Sequence, residues 1–242
     1  MKYRDRLYAN YSSNFGERKS FDPTVQFAVY EKIYRNLPKN TASKIGDLGC
    51  GKGEWLAWLH EKGFSELTGI DVAASEVDFT SEKDIRMVNG DILEKLAETE
   101  GKFDLLHAKD VLEHLTKNEA VDFLDACHKA LRPGGELWIL TYNAQSPLSN
   151  ATRHGDFTHE LGVTPVSLGQ LLQATGFEVT EVGGYFPRTG SVRGAIRAGL
   201  FWIVEKFASL ILKLRHGVIH GDPAIDTNTA KPDLFSVAKR PH

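Results

Sequence analysis

Short apolar runs alternate with amphipathic stretches along most of this chain. This alternation is typical of crossover units, which build a mainly parallel sheet covered by helices on both faces. The predicted strands are residues 44–48, 66–70, 85–88, 103–108, 135–141, 177–182 and 234–239. The predicted helices are residues 54–62, a short helix after Val72, and residues 116–131 and 165–175. The pattern therefore predicts an open α/β sandwich.

The same pattern divides the chain into three predicted parts. Residues 1–40 form an N-terminal helical cap, in which a helix begins at Pro23. Residues 41–186 and 232–242 form the α/β domain, and residues 187–231 form a helical insertion between the last two strands. A long polar loop, residues 142–164, follows the fifth strand, and loops of that length are usually functional or disordered.

Composition narrows the class of protein. The 242 residues have a net charge of -3 and 41% hydrophobic residues, which is typical of a globular protein and gives no basic footprint for nucleic acid. Two cysteines are too few for a disulfide framework and favour a reducing compartment. The start lacks the apolar core of a signal peptide, and no apolar run reaches the length of a membrane span. We therefore expect a cytoplasmic protein.

A glycine-rich turn joins the first predicted strand to the first helix of the domain. Its sequence is Gly-Asp-Leu-Gly-Cys-Gly-Lys-Gly, residues 46–53, and such a turn leaves backbone amides at a helix N-terminus for a ligand. Asp71 ends the second strand, 20 residues after Gly51 in the sequence, and at this spacing a carboxylate can bind a ribose diol. Asp91 follows the third strand. A phosphate-binding P-loop would need Ser or Thr where Gly53 stands, and a dinucleotide fingerprint would need Gly where Glu54 stands.

These motifs, taken in order, resemble the class I S-adenosylmethionine-dependent methyltransferases. The matching segments are residues 47–53, 69–71, 89–91, 103–106, 110–114 and 131–135. The resemblance implies a Rossmann-like, seven-stranded, mostly parallel sheet with an antiparallel last strand. It also implies S-adenosylmethionine as the cofactor and S-adenosylhomocysteine as its product. The cofactor-binding residues that it implies are Asp47, Gly49, Cys50, Gly51, Gly53, Asp71, Val72, Asp91, Ile92 and Lys109.

Within this resemblance each group has an expected role. The backbone of the glycine turn holds the methionine part of the cofactor, and Asp47 helps to position its amino-acid end. Asp71 binds both ribose hydroxyls, whereas Asp91 and Ile92 meet the adenine. Single carboxylates at strand ends also serve as helix caps or turn residues, and that alternative stays open for Asp71 and Asp91.

The long loop carries the densest group of ionisable side chains, residues 153–160. We expect His159 to be the general base, because imidazole titrates near neutral pH, with Asp156 or Glu160 to orient it. The expected acceptor-binding residues are Arg153, His154, Glu160, His114 and Tyr11. Two alternatives stay open for this loop. It is a polar loop capped by its own side chains, or it forms a metal site from His154, Asp156 and His159. We predict that no metal binds.

The acceptor is the least constrained expectation. Asp156-Phe-Thr-His-Glu160, followed by Thr164-Pro165, resembles methyltransferases of bacterial surface polysaccharides. This favours O-methylation of a sugar hydroxyl, in a glycan, its lipid-linked precursor or a glycosylated metabolite. The alternatives are methylation of a nitrogen, carbon or carboxylate of a small metabolite, and a protein that binds the cofactor without turnover.

A helix within the insertion, at residues 195–214, has a marked apolar face. The residues that share it are Leu200, Ile203, Val204, Phe207, Ile211 and Leu214. Three roles are open for this face. It packs on its own domain, or it forms the interface of a homodimer. In the third, it contacts the inner surface of a membrane, and Arg188, Arg193 and Arg197 meet anionic lipid.

Overall fold

The structure is a computed structural model that describes residue 7 and residues 23–72, 84–185, 192–217 and 221–242. The side chains of residues 192–195 and 216 are outside this description. The short helix expected after Val72, the acceptor-binding role of Tyr11, and Arg188 fall on residues outside the described ranges.

The described residues contain one sheet of seven strands. These are β1 Ile45–Leu48, β2 Leu67–Asp71, β3 Arg86–Asn89, β4 Phe103–Lys109, β5 Leu131–Tyr142, β6 Glu178–Tyr185 and β7 Asp233–Lys239. Their order is β3-β2-β1-β4-β5-β7-β6. Strands β1 to β5 pair in parallel, while β7 pairs antiparallel with both β5 and β6. The predicted mostly parallel sheet with an antiparallel last strand is confirmed.

Seven α-helices accompany these strands in the described ranges. They are α1 Pro23–Ile33, α2 Glu54–Glu61, α3 Ile92–Ala97, α4 Lys117–Ala130, α5 Asn150–Arg153, α6 Pro165–Ala174 and α7 Val192–His216. A capping box formed by Thr116 and Glu119 begins α4, as the sequence indicates. Helices α3 and α5 were missed by the sequence analysis, because α3 has six residues with Leu96 alone buried and α5 has four residues with none buried. Such short helices show no helical period.

Two apolar clusters cover the sheet. One contains side chains of α4 and α6, such as Phe123 and Leu168. The other contains Tyr30 of α1 and the α2 residues Trp55 and Trp58, which are almost fully buried. The rings of Tyr30 and Trp58 lie 5.6 Å apart, so α1 packs directly on α2. Burial of this aromatic surface fixes α2, whose first residue follows the glycine turn.

The topology brings the loops of interest to one edge of the sheet. The carboxyl ends of β1 to β5 all lie at this edge, which we call the carboxyl edge, and the strand order reverses between β1 and β4. Ligands of open α/β sheets bind at such a reversal. Asp233 at the start of β7 pairs with Tyr142 at the end of β5 and with Tyr185 at the end of β6. The connection from β6 to β7, which contains α7, therefore also leaves and returns at the carboxyl edge.

Candidate functional site

The glycine turn after β1 has a backbone that other residues cannot easily adopt. Gly49, Gly51 and Gly53 all have positive φ, at 70°, 52° and 77°. A Cβ on Gly49 would lie 2.6 Å from Cγ2 of Val111, whereas a Cβ on Gly51 would meet no atom of the described residues within 4 Å. Val111 therefore packs against the turn at Gly49, whereas the described residues leave the turn open at Gly51. This open side is the cradle that a ligand approaching the backbone requires.

Asp71 is tied to this turn. Its Oδ2 accepts a hydrogen bond from the backbone amide of Gly51 at 2.8 Å, and its side chain is half-buried at the end of β2. The neighbouring Val72 is 64% exposed. The contact holds the carboxylate beside the open part of the turn, as a residue that binds a ribose diol would need.

Asp91 begins helix α3. Its Oδ1 accepts from the amides of Leu93 and Glu94, and its side chain is exposed. The helix-cap alternative therefore describes part of what Asp91 does, and Ile92 is half-buried against the core below it. Asn89 pairs in register with Asp71, so Asp91 stands two residues beyond the strand end that adjoins Asp71. Strand ends β1, β2 and β3 thus bring the glycine turn and both carboxylates to one side of the edge.

Asp47 belongs to a buried polar chain that the sequence analysis missed. Its Oδ1 lies 2.7 Å from Nδ1 of His107 on the neighbouring strand, and Nε2 of His107 lies 2.7 Å from the hydroxyl of Tyr34. The ring of Trp55 stacks on His107 with centroids 4.0 Å apart. All four side chains are at least nine-tenths buried. Sequence reasoning assigned His107 no role, although a histidine within the apolar run of β4 is a signal that a buried partner exists.

Cys50 lies in the same turn and has no reactive chemistry of its own. Burial raises the pKa of the Cys50 thiol far above its ordinary value, and Asp47 and Asp71 add to that effect. The thiol is therefore neutral and acts through its size: a Cβ on Gly69 would lie 2.7 Å from its sulfur. Lys109 at the end of β4 pairs with Asp110, which has a positive φ of 56° although it is not glycine. Strained residues of this kind concentrate at functional sites.

The segment 111–114 connects the glycine turn to the long loop after β5. Val111 contacts Gly49 from one side, and the backbone carbonyl of Glu113 accepts from the amides of Glu160 and Leu161 at 2.8 and 3.1 Å. The Glu113 side chain is 3% exposed and accepts from the Thr141 hydroxyl. Burial and the nearby Asp110 raise the pKa of Glu113 to about 7. Sequence reasoning passed over this residue, because its burial depends on tertiary packing.

The long loop is anchored rather than open. Ser146 donates to the carbonyl of Ala230, Ser149 donates to the carbonyl of Asn143, and both serines are buried. The side-chain amide of Asn143 donates to the backbone carbonyl of Lys231 at 2.9 Å. These bonds fix the polar stretch that the sequence pattern marks as a loop, so its ionisable residues have defined positions.

His159 is held in one orientation by this loop. Its Nδ1 lies 3.1 Å from the carbonyl of Thr152, and a carbonyl can only accept, so Nδ1 carries the hydrogen. In the neutral ring Nε2 then has the lone pair. The ring is half-buried between Tyr142 and His114, whose centroids lie 5.6 and 4.7 Å away. A backbone carbonyl rather than a carboxylate stands at Nδ1, and the orienting role expected of Asp156 or Glu160 stays a prediction.

Asp156 instead supports the second histidine. The hydroxyl of Thr158 donates to Oδ1 of Asp156 at 2.7 Å, so that hydroxyl accepts from Nδ1 of His114 at 2.8 Å. Burial opposes ionisation of Asp156, but hydrogen bonds from Thr158 and the charges of His114 and His159 outweigh it and lower its pKa. Both histidines therefore carry hydrogen on Nδ1 and present Nε2 as an acceptor when neutral.

One nitrogen of each histidine and one oxygen of Asp156 lie within 4.8 Å of one another. Two imidazoles with hydrogen-bonded Nδ1 atoms and one carboxylate are donors that a transition-metal ion also takes. The metal alternative based on His154 is wrong in its membership, because His154 is exposed at the end of α5 and His114 stands in its place.

The other predicted acceptor-binding residues are spread around this cluster. Arg153 is half-buried, and a Cβ on Gly162 would lie 3.1 Å from its Cζ. Burial raises the pKa of Tyr142, and the charge of Arg153 opposes that shift. Glu160 has an exposed side chain, although its backbone is bound to Glu113. The loop thus brings His159 and Asp156 to His114 and leaves His154 outside this cluster.

Known proteins of similar sequence are named as methyltransferases. A family model described as a methyltransferase domain matches residues 24–182. A phosphoethanolamine N-methyltransferase of Plasmodium falciparum is 29% identical over 148 residues, covering 59% of this chain and 54% of the relative. A mitochondrial ubiquinone biosynthesis O-methyltransferase of Rattus norvegicus is 30% identical over 169 residues, covering 61% of this chain and 48% of the relative. The chain therefore spans about half the length of these relatives.

A solved structure has the same fold. A SAM-dependent methyltransferase from Archaeoglobus fulgidus aligns with a TM-score of 0.62 at 21% identity, covering 90% of this chain and 94% of that chain. Neither of the two curated relatives is named as acting on a polysaccharide. The expected likeness to surface-polysaccharide methyltransferases has no support from them.

Proposed function

This chain belongs to the methyltransferase domain family, with S-adenosylmethionine as its cofactor, and from that premise we propose that it methylates a small-molecule acceptor at a hydroxyl group. The observation that carries the proposal is the connection made by residues 111–114. This segment contacts Gly49 of the glycine turn at one end and carries His114, in contact with His159, at the other. A cofactor on the turn and an acceptor at the histidines would then meet across one short piece of backbone.

The chain's own residues fit the cofactor. The open face at Gly51 and the carboxylate of Asp71 would hold the methionine part and the ribose, and Asp91 with Ile92 would meet the adenine. Asp47 is fixed by His107 and Tyr34, so its position does not depend on the ligand. The bound cofactor supplies an electrophilic methyl group. Most of the rate enhancement can come from holding the acceptor about 3–3.5 Å from that carbon and in line with the sulfur.

His159 is the proposed general base. A hydroxyl is a poor nucleophile at neutral pH, and a positioned base that takes its proton contributes about 10²–10⁴-fold. The Thr152 carbonyl keeps hydrogen on Nδ1, so Nε2 is the atom that receives the proton. Arg153 would bind an anionic part of the acceptor, and His114 would form the opposite wall.

A small molecule is favoured over the glycan that the loop sequence suggests. The curated relatives are named for phosphoethanolamine and for ubiquinone biosynthesis, so the acceptors in their names are small. The phosphoethanolamine relative also supports a second candidate, methylation of an amine, because an ammonium group must likewise lose a proton before it can attack. The methylated atom distinguishes the two.

The experiment has two parts. Isotopically labelled cofactor is incubated with the protein and fractionated metabolites, and mass spectrometry locates the methyl group; label in a low-mass hydroxyl product supports the proposal. Label on nitrogen selects the amine candidate, and label only in glycan would overturn the small-molecule assignment.

The second part tests the base. His159→Ala should lower kcat by about 10²–10⁴-fold with little change in cofactor affinity. His154→Ala is the matched control, since that exposed histidine lies on the same loop and should leave kcat unchanged. Full turnover in His159→Ala would refute the base. Loss of parent activity with a chelator, restored by a divalent cation, would instead assign His159 as a ligand.

A further inference from the structure

Helix α7 has an inner face that packs on the protein. The residues of low exposure are Ala198, Phe201, Glu205, Ala208 and Leu212, at successive spacings of three or four. Glu205 and Ser209 line a cavity against Asp226, Asn228 and Thr229. This face accounts for how α7 is held by its own chain, and it leaves the opposite side of the helix outward.

The outward side of α7 is a continuous apolar face. Its members are Ile196, Leu200, Ile203, Phe207, Leu210, Ile211 and Leu214, all between 48% and 78% exposed. Each of them has another member three or four residues away, which keeps them on one side of the helix over about five turns. Monomeric proteins seldom leave so large a patch uncovered. We call these seven side chains the outer apolar face.

Basic residues flank this face on both sides. At 100° per residue, Arg197 and Arg215 stand along one edge, while Lys206 and Lys213 stand along the other, and all four are exposed. Helix α7 has five basic residues and one acidic residue in a chain of net charge -3. The acidic residue, Glu205, is buried on the inner face. The charge of the exposed helix surface is thus opposite in sign to that of the whole chain.

We propose that α7 docks on an anionic lipid bilayer, with its outer apolar face in the headgroup region and its two basic edges on lipid phosphates. An apolar stripe between basic edges is the pattern of helices that lie in a membrane interface. None of the described helices is both long and apolar enough to cross a bilayer, so α7 lies along the surface.

A second copy of this chain fits the same face less well. If two outer apolar faces met, each basic edge would stand beside a basic edge of the other helix, whether the helices ran parallel or antiparallel. Like charges at such edges oppose pairing. A surface of anionic headgroups matches both edges at once.

The connection that contains α7 is attached at the end of the sheet that carries the candidate site. The connection that contains the helix leaves and returns at the carboxyl edge of the sheet, at Tyr185 and Asp233. The glycine turn and the histidine loop lie at the same edge.

Vesicle sedimentation of the full chain tests the proposal. Binding is expected to vesicles of phosphatidylglycerol and phosphatidylcholine in equal parts, not to phosphatidylcholine alone, and it should weaken as salt is raised. Leu200→Asp with Phe207→Asp should reduce binding by about a hundredfold, because both side chains leave the lipid. Lys206→Glu with Lys213→Glu should reduce it by at least about tenfold.

Matched controls lie on α4. Val121→Asp places the same charge on another exposed apolar position, and Lys117→Glu with Lys129→Glu reverses two exposed lysines. These variants should bind as the parent does, and thermal unfolding checks that every variant is folded. Equal losses in the α4 variants would overturn the assignment to α7, and so would absence of binding to anionic vesicles.

Fluorescence separates lipid from the other occupants. Trp202 is 55% exposed while the other three tryptophans are at most 4% exposed. In a Trp202→Phe background, Phe207→Trp places one exposed reporter on the outer apolar face, and its emission should shift to shorter wavelength when anionic vesicles are added. An emission already at short wavelength without vesicles would mean that protein covers the face. A dimer by light scattering that Leu200→Asp with Phe207→Asp separates would assign the face to a second copy.

Discussion

Glu113 makes the stability of this protein depend on pH in an unusual direction. Its pKa is raised from 4.5 to about 7, first by burial and then by Asp110. Between these two values the folded chain keeps a proton that the unfolded chain has lost, so the free energy of unfolding falls as pH rises. At about 1.4 kcal/mol per pKa unit, the interval corresponds to a loss of about 3 kcal/mol, complete once the pH exceeds about 7.

Glu113→Gln removes this penalty while keeping an acceptor for the Thr141 hydroxyl. The variant should equal the parent in stability near pH 4.5 and exceed it by up to about 3 kcal/mol at pH 8, because a neutral amide replaces a buried carboxylate. The measurement is urea unfolding followed by tryptophan fluorescence at several pH values. The difference between variant and parent isolates Glu113 from Asp233, whose pKa burial raises to about 6.

Thr141→Val is the companion variant. The Thr141 hydroxyl donates to Oε2 of Glu113 and favours the ionised form, so its loss should move the titration of Glu113 to higher pH. A stability difference between Glu113→Gln and the parent that does not change with pH would refute the reasoning. A variant less stable than the parent at pH 8 would refute it as well.

Two further substitutions test the cofactor side of the site. Asp71→Ala should lower the calorimetric affinity for S-adenosylhomocysteine by at least about tenfold, because it removes both the proposed ribose contact and the hydrogen bond that anchors the glycine turn. Asp84→Ala, which removes an exposed carboxylate, is the control and should keep the affinity of the parent. Equal affinities of the Asp71→Ala variant and the parent would exclude the assignment of Asp71. Gly49→Ala should destabilise the fold by about 2–4 kcal/mol in urea, since φ strain adds to a clash with Val111. Gly101→Ala has a similar φ of 62° and open space, so it should cost only about 1–2 kcal/mol; equal costs would mean that Val111 yields freely.

Much of the fold was predictable because its signals are local. The apolar runs that became β1, β4 and β5 are read directly from the chain, and Thr116 with Glu119 marks the start of α4 through neighbouring residues alone. The glycine turn is equally predictable from the sequence, since residues 49–53 set its shape. These features depend on sequence neighbours, which are the interactions that a pattern can express.

The parts that escaped prediction depend on contacts between distant residues. His107 is hydrogen-bonded to Asp47 on the neighbouring strand and to Tyr34, which lies outside the sheet. The residues next to His107 in sequence do not indicate either partner. His114 joins Asp156 and His159 through Thr158, forty-four positions away, which is why the metal alternative drawn from the sequence contained His154 in its place. Nearness in sequence was mistaken there for nearness in space.

The connection from β6 to β7 has a consequence for how this architecture can be varied. Antiparallel neighbours need no more than a two-residue turn to join them. The strand pairing between β6 and β7 therefore does not require α7, and the parallel strands that carry the proposed cofactor-binding residues are complete before the chain reaches that helix. If α7 is the docking element that we propose, exchanging residues 192–217 for another helix with the same inner face should redirect the protein to a different surface and leave strands β1 to β5 unchanged.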